Sequence, residues 1–505
     1  MSKRAVVAVI AGMTCAIACG GKSGGHGASD APGGGGGDSG VDAAPAVDAP
    51  CTSCAPLTTS WEQHYGGSGF DNLVEGVWVD GAGNTYITGG FDGTIDLGGG
   101  ALTSAGLGDI LVASFAPDGT YRWAQRFGGA MNDQGTSITV AAGRVYIAGT
   151  FTGGLELGGS AVTGAGGQDA LILVLDAATG DYDTAFEFGT AGDDAALGIA
   201  VDGSGDITIV GDFATGTLSL AGSAITGAAN LNAFVASFTP AGAHRWSRTL
   251  AGSAPMSPAT SAFDDARAVA VDAAGSVTIA GEWMGTADFG SGAITSSGAA
   301  NLEFDGFVAS YTATGAPRWS RSFGAGLGVS AIAASLDASG NAVIGGIFHG
   351  TVDFGGTMLT QQGVVDGFAL VLASATGATT MARSLGDTDA SAIGAVRADS
   401  HGDVVAMGRM SAASTDLGNG VVLASAGGED DVFVAGFDHA TGTALFGHRW
   451  GGPGATTTYA EGGALALSVH DSMALGGDLS GPVDLGLGTL STGSDVTGFA
   501  MLVTR

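Results

Sequence analysis

Acidic residues recur at one fixed place along this 505-residue chain. Seven nonapeptides share a pattern: IDLGGGALT at Ile95, LELGGSAVT at Leu155, LSLAGSAIT at Leu218, ADFGSGAIT at Ala287, VDFGGTMLT at Val352, TDLGNGVVL at Thr415 and VDLGLGTLS at Val483. Their second position is Asp96, Glu156, Asp288, Asp353, Asp416 and Asp484, with Ser219 the exception. A second set, Asp71, Asp133, Asp194 and Asp265, stands in the segments between repeats. Such groups could attract cations, sugars or a basic protein, or could accept the N–H groups of the glycine turns beside them. Repetition argues for the turn role, because catalysis needs unlike groups converging on one point. No catalytic residue is assigned; both sets mark an acidic face that would meet a ligand.

Other chemistry is sparse. Cys51 and Cys54 form C-x-x-C, a spacing that serves redox exchange, half a zinc site or a local disulfide. With no second pair and no helix to depress a thiol pKa, the disulfide is the reading taken. The histidines show neither H-x-H nor H-E-x-x-H spacing, and DGSGDITIVGD at Asp202 lacks the distal glutamate of a calcium loop. Neither a metal nor a cofactor is expected.

The N-terminus gives an address. Lys3 and Arg4 precede the apolar run from Ala5 to Ile17, and Ala16-Ile17-Ala18 is a small-residue cleavage site before Cys19. AIAC resembles the bacterial lipobox, with Ala16 where that motif prefers leucine; the resemblance implies lipid on Cys19 after removal of residues 1–18. Residues 19–60 are rich in glycine, alanine and aspartate without an apolar period, the composition of a flexible tether. The expectation is export, with anchoring at the outer membrane or cell surface, and plain secretion as the alternative.

Composition narrows the rest. A formal net charge of -32 repels phosphate backbones, which argues against nucleic-acid binding and leaves the lipid anchor as the membrane contact. Ninety-four glycines and no sustained helical period after residue 60 describe an all-β chain. The nonapeptides lie 60 to 69 residues apart, and each unit holds four strand candidates. In the first they are EGVWVD at Glu75, TYITGGF at Thr85, DILVASF at Asp109 and YRWAQRF at Tyr121.

The seventh unit breaks off after TGFAMLV at Thr497, one strand short, and the missing strand is SWEQHYGG at Ser60. A chain that supplies its last strand first makes a ring closed by its two ends. In such a meander the nonapeptides and the segments between repeats fall on one face, and the short turns on the other.

VDGAGNTYITG at Val79, VDGSGDITIVG at Val201, VDAAGSVTIAG at Val271 and the strands FDGFVASY at Phe304 and VDGFALVL at Val365 resemble the repeats of the bacterial SBBP family. That resemblance covers Trp61 to Arg505 and implies a seven-bladed β-propeller of four-stranded blades. ASYTATGAPRW at Ala309 is similar to the tryptophan-docking motif of quinoprotein dehydrogenases, but Tyr311, like Phe115 and Phe238 in sister repeats, replaces its aspartate. The likeness implies a blade-locking role for Trp123, Trp246 and Trp319 without the quinone chemistry. DGTYRW at Asp118 departs from the sialidase aspartate-box spacing. The expectation is a monomeric, noncatalytic binding propeller for a protein or glycan, with a glycan hydrolase or lyase as the alternative.

Overall fold

The computed structural model describes residues 57–66, 73–250, 264–297, 304–324, 328–386, 389–411, 414–424, 430–452, 459–491 and 496–504. Cys19, Cys51, Cys54 and Asp71 lie outside these residues, as do the signal-peptide reading and nearly all of the tether.

Short apolar strands broken by glycine and aspartate turns fold here into seven antiparallel four-stranded sheets. Blade one is Leu73–Val79, Thr85–Phe91, Asp109–Phe115 and Tyr121–Phe127, in sequence order from the inside outward. The innermost strands of blades two to seven, Gln134–Ala141, Ala195–Val201, Asp265–Val271, Val329–Leu336, Ser391–Ala398 and Tyr459–Leu467, each lie against the next, and the last returns to Leu73–Val79. The architecture is a closed seven-bladed β-propeller. Its ends meet as the sequence predicts: Thr58–Tyr65 pairs antiparallel with Thr497–Thr504 as the outer strand of blade seven, Trp61 opposite Leu502 and His64 opposite Phe499.

Each innermost strand carries a one-residue β-bulge at the same place, between Val74 and Gly76 in blade one and between Ile393 and Ala395 in blade six. A bulge tightens the local right-handed twist. The core lies between blades, where apolar side chains of facing sheets interdigitate; one cluster joins Val77, Ile87 and Leu111 of blade one to Ala464, Ala474 and Leu502 of blade seven.

Tryptophans on outer strands lock neighbours together. The indole N–H of Trp123 donates to Ala177 O at 3.2 Å, that of Trp246 to Ala313 O at 3.1 Å and that of Trp319 to Ser374 O at 2.8 Å, each acceptor on the strand three to four turn of the next blade. Gly180, Gly315 and Gly377 in those turns have positive φ and lie against the indoles, where a side chain would collide. The aromatics that replace the docking-motif aspartate complete the lock: Phe115 packs on Trp61 at 5.7 Å between ring centres and Tyr311 on Trp246 at 5.8 Å. The Tyr311 hydroxyl donates to Phe289 O at 3.0 Å.

Candidate functional site

The recurring acids separate into three structural roles. The nonapeptides form hairpins, five as separate two-stranded sheets and two, in blades two and three, continuous with the long blade strands Arg144–Glu156, Ala161–Asp176, Ile207–Leu220 and Ser223–Phe238. Topology alone places them on the loop face; the structure instead folds them back onto the outer strands. The Gly98–Gly99 tip lies against Tyr121, Thr59 Oγ1 donates to Leu485 O at 2.6 Å, and Asp484 N donates to Gly451 O at 3.1 Å. Each hairpin thus wedges between the end of one outer strand and the start of the next, and its acid sits on the rim. Asp96 accepts the N–H groups of Gly98 at 2.8 Å and Gly100 at 3.1 Å, and Asp288, Asp353, Asp416 and Asp484 accept those of Gly290, Gly356, Gly418 and Gly486 in the same way. These carboxylates remain exposed; exposed Glu156 lies 4.0 Å from Arg126.

The inter-repeat acids are buried clasps. Asp133 accepts Gly129 N at 2.7 Å and Thr152 N at 3.0 Å; Asp194 accepts Thr190 N at 2.5 Å and Ala214 N at 2.9 Å. In blade four the equivalent residue is Asp264, which accepts Met284 N at 3.0 Å, and its neighbour Asp265 pairs instead with Arg267 at 3.1 Å. Burial pushes Asp133 up to about 7.

A third set escaped sequence reasoning. Asp109, Asp305, Asp366 and Asp431 open strand three of their blades, Asp169 holds the same place within the continuous strand Ala161–Asp176, and all five are buried. Each presses on the glycine that ends strand four: Gly128, Gly189, Gly324, Gly386 and Gly451. Blade three has Asn232 in place of the acid and Ala251 in place of the glycine. That paired exchange was the available signal. Asp305 accepts Ser297 N at 2.7 Å and Ser297 Oγ at 2.8 Å, while Asp109 accepts Arg126 Nη1 at 2.5 Å. Burial pushes Asp169 up to about 6.

With the acids occupied in this way, departures from sevenfold repetition are the informative surface. On the loop face, Leu107 and Met131 of adjoining loops and Val364 of blade five are exposed apolar side chains. On the short-turn face, blade two closes its first hairpin with two residues, Ala142 and Gly143, at φ 50° and 75°, where blade one uses five. Beside this shortened turn is a cleft of about 420 Å³ lined by Trp78, Asp80, Val140 and Ala177.

Sequence-distant turns of blades six and seven bring together Asp399, His401 and Asp471, and Asp403, Asp438 and His439, each trio with ligand atoms within 4.8 Å. A cation there would have to displace existing bonds. Asp403 accepts His439 Nδ1 at 2.9 Å, which raises the histidine pKa, and Asp471 is gripped by Ser400 N at 3.0 Å and Ser400 Oγ at 2.6 Å.

No family model and no curated protein matches the chain, so the SBBP likeness stays one of repeat motifs. Solved structures similar to it include a europium-containing methanol dehydrogenase (TM-score 0.43, 11% identity, 89% of this chain and 93% of that one). The Dos1 propeller (0.39, 11%, 88% and 95%) and BamB from Moraxella catarrhalis (0.31, 9%, 89% and 98%) are further examples. Likenesses at this level carry no ligand or reaction across, and the seven-blade assignment rests on the strand pairing itself.

Proposed function

We propose that the chain is an exported envelope lipoprotein, anchored through Cys19, whose propeller is a noncatalytic platform for a protein or glycan. The observation that carries this reading is the distribution of roles on the loop face. Its inter-repeat carboxylates Asp133 and Asp194 are closed clasps, while Leu107, Met131 and Val364, which differ from blade to blade, are left exposed on a rigid closed scaffold. Variable side chains on a fixed frame are what recognition uses. The enzyme alternative needs carboxylates of unlike pKa in reach of substrate. Of the raised acids, Asp133 and Asp169 are 2% and 1% exposed, sealed beneath the loops, and Glu62 stands apart from them on the outer strand Thr58–Tyr65.

Two measurements test the proposal. Cys19→Ser is expected to move the protein from the membrane to the soluble fraction, since acyl chains contribute about 0.8 kcal/mol per buried methylene; unchanged partition removes the anchor. A Leu107→Ser, Met131→Ser, Val364→Ser variant is expected to lose retention on purified envelope glycan or protein while melting like the parent. Equal retention, or none by the parent, removes the platform.

A further inference from the structure

The innermost strands break symmetry at one level. The second residue after the bulge of each innermost strand is Trp78, Thr139, Ala200, Ala270, Ser335, Arg397 and Ala466 in blades one to seven. Only blades one and six place a large side chain there. The position faces the seam with the following blade: Ser335 Oγ accepts the N–H of Ala398 in blade six at 3.3 Å, and Trp78 lines the cleft against Val140 and Ala141 of blade two. Arg397 by the same register belongs to the seam between blades six and seven.

Its surroundings are unlike those of every other described arginine. Those are held by carboxylates, as Arg449 is by Asp431 at 2.7 Å, or by hydroxyls and carbonyl oxygens beyond their own strand, as Arg321 is by Gly377 O at 2.9 Å. Arg397 makes one bond, from Nη1 to the carbonyl of its chain neighbour Val396 at 2.8 Å. It is half-buried, burial pushes its pKa down to about 10, and no carboxylate lies near enough to raise it. In a chain with 48 acidic residues against 16 lysines and arginines, a partly desolvated guanidinium without a counter-charge is an exception that costs stability unless something else pairs with it.

We infer that Arg397 is the anchor of a binding site for one small monocarboxylate per propeller, in the seam between blades six and seven. The free edge of a guanidinium matches a planar carboxylate through two parallel N–H donors. The protein's strong negative charge disfavours ligands carrying several charges, so a singly charged acid is the class that fits.

The test is titration of the full chain with sodium acetate and sodium glucuronate at constant ionic strength, read by calorimetry and melting temperature, with sodium phosphate and sodium chloride as comparison anions. One saturable site is expected for the carboxylates, with at least tenfold weaker binding in Arg397→Gln and an anion-free melting temperature at or above the parent's. Arg397→Lys, which keeps the charge but loses the fork, is expected to fall between the two and serves should the glutamine variant fail to fold. Equal responses of parent and variants overturn the inference, as does an equal response to all four anions or none to either carboxylate.

Discussion

Blade four and blade seven solve the same packing problem with different parts. In blade four the outer strand Pro317–Phe323 follows strand three through a turn, and that turn receives Trp246 from blade three: Gly315 beneath the indole, Ala313 O accepting its N–H. Blade seven has no such turn, because its two outermost strands come from opposite ends of the chain. The residue that would use it, Phe446 of blade six, packs instead on Gly436 of its own sheet. The seam is held by the nonapeptide hairpin, where Thr59 bonds Leu485 O and the Trp450 indole lies beside Gly486. Interblade locking therefore pairs a large apolar side chain, an aromatic or, between blades five and six, Met381 on Gly442, with a positive-φ glycine, and the chain can draw the glycine from either the turn or the hairpin.

The largest expected effect comes from removing what blade seven borrows. Deleting Ser60–Gly67 takes away buried Trp61 and Tyr65 together with most of the ladder of pairs, a loss beyond the about 3 to 5 kcal/mol of truncating one buried tryptophan. Thermal melting should show collapse for this deletion and no change for deletion of Gly20–Pro56. Equal melts would mean that the ring does not depend on its closing strand.

Blade four supplies the next test. An added methyl group at Gly324 would sit 2.0 Å from the Asp305 carboxylate, so Gly324→Ala is expected to cost about 1 to 3 kcal/mol by denaturant unfolding. Blade three's own solution predicts the rescue: adding Asp305→Asn should restore part of the loss, and strict additivity of the two changes would refute the pairing.

Two buried aspartates, one a clasp and one from the strand three set, give stability a pH dependence. In the folded chain burial raises Asp133 to about 7 and Asp169 to about 6, whereas an unfolded aspartate titrates near about 3.9. Between about pH 4 and 7 the folded state keeps protons that the unfolded state has released, so stability falls as pH rises through that window and levels off above it. A gain on the order of 2 kcal/mol is expected on going from pH 7.5 to 5.5. Asp133→Asn should flatten the slope, and stability that increases with pH across the window would contradict the assignment.

The smallest effect separates the two locks directly. Trp319→Phe forfeits the bond to Ser374 O, a net loss of about 1 kcal/mol beyond the volume change. The Trp61 indole N–H has no acceptor, so Trp61→Phe should cost less. Equal shifts in melting temperature would show that the bond contributes nothing.

Much of this was legible in the sequence, and what was not has a physical reason. DILVASF and YRWAQRF mark Asp109–Phe115 and Tyr121–Phe127 because strand period and turn residues are local signals. Closure was legible because a strand four signature precedes the first strand one. The fold-back of the hairpins was not: it depends on Ile95 and Leu97 burying themselves in the cluster that holds Trp61 and Phe115, a contact between residues far apart in the chain. Adjacent Asp264 and Asp265 carry no period to tell clasp from ion pair. The His439 group arises from two turns of one blade, and the His401 group and the isolation of Arg397 from turns and seams between blades six and seven, none of these turns adjacent in sequence.

The closing strand also fixes how the ring would bear load. Thr58 lies opposite Thr504, so the described chain enters the propeller at the same edge where it leaves. A pull through the segment before Leu57 reaches Thr58 first and would peel the strand from that end, opening its pairs in succession like a zipper instead of shearing them together. Mechanical resistance at that edge would then come from the seated Trp61 and the Thr59 hook, which must be extracted before the peel can run on to Tyr65.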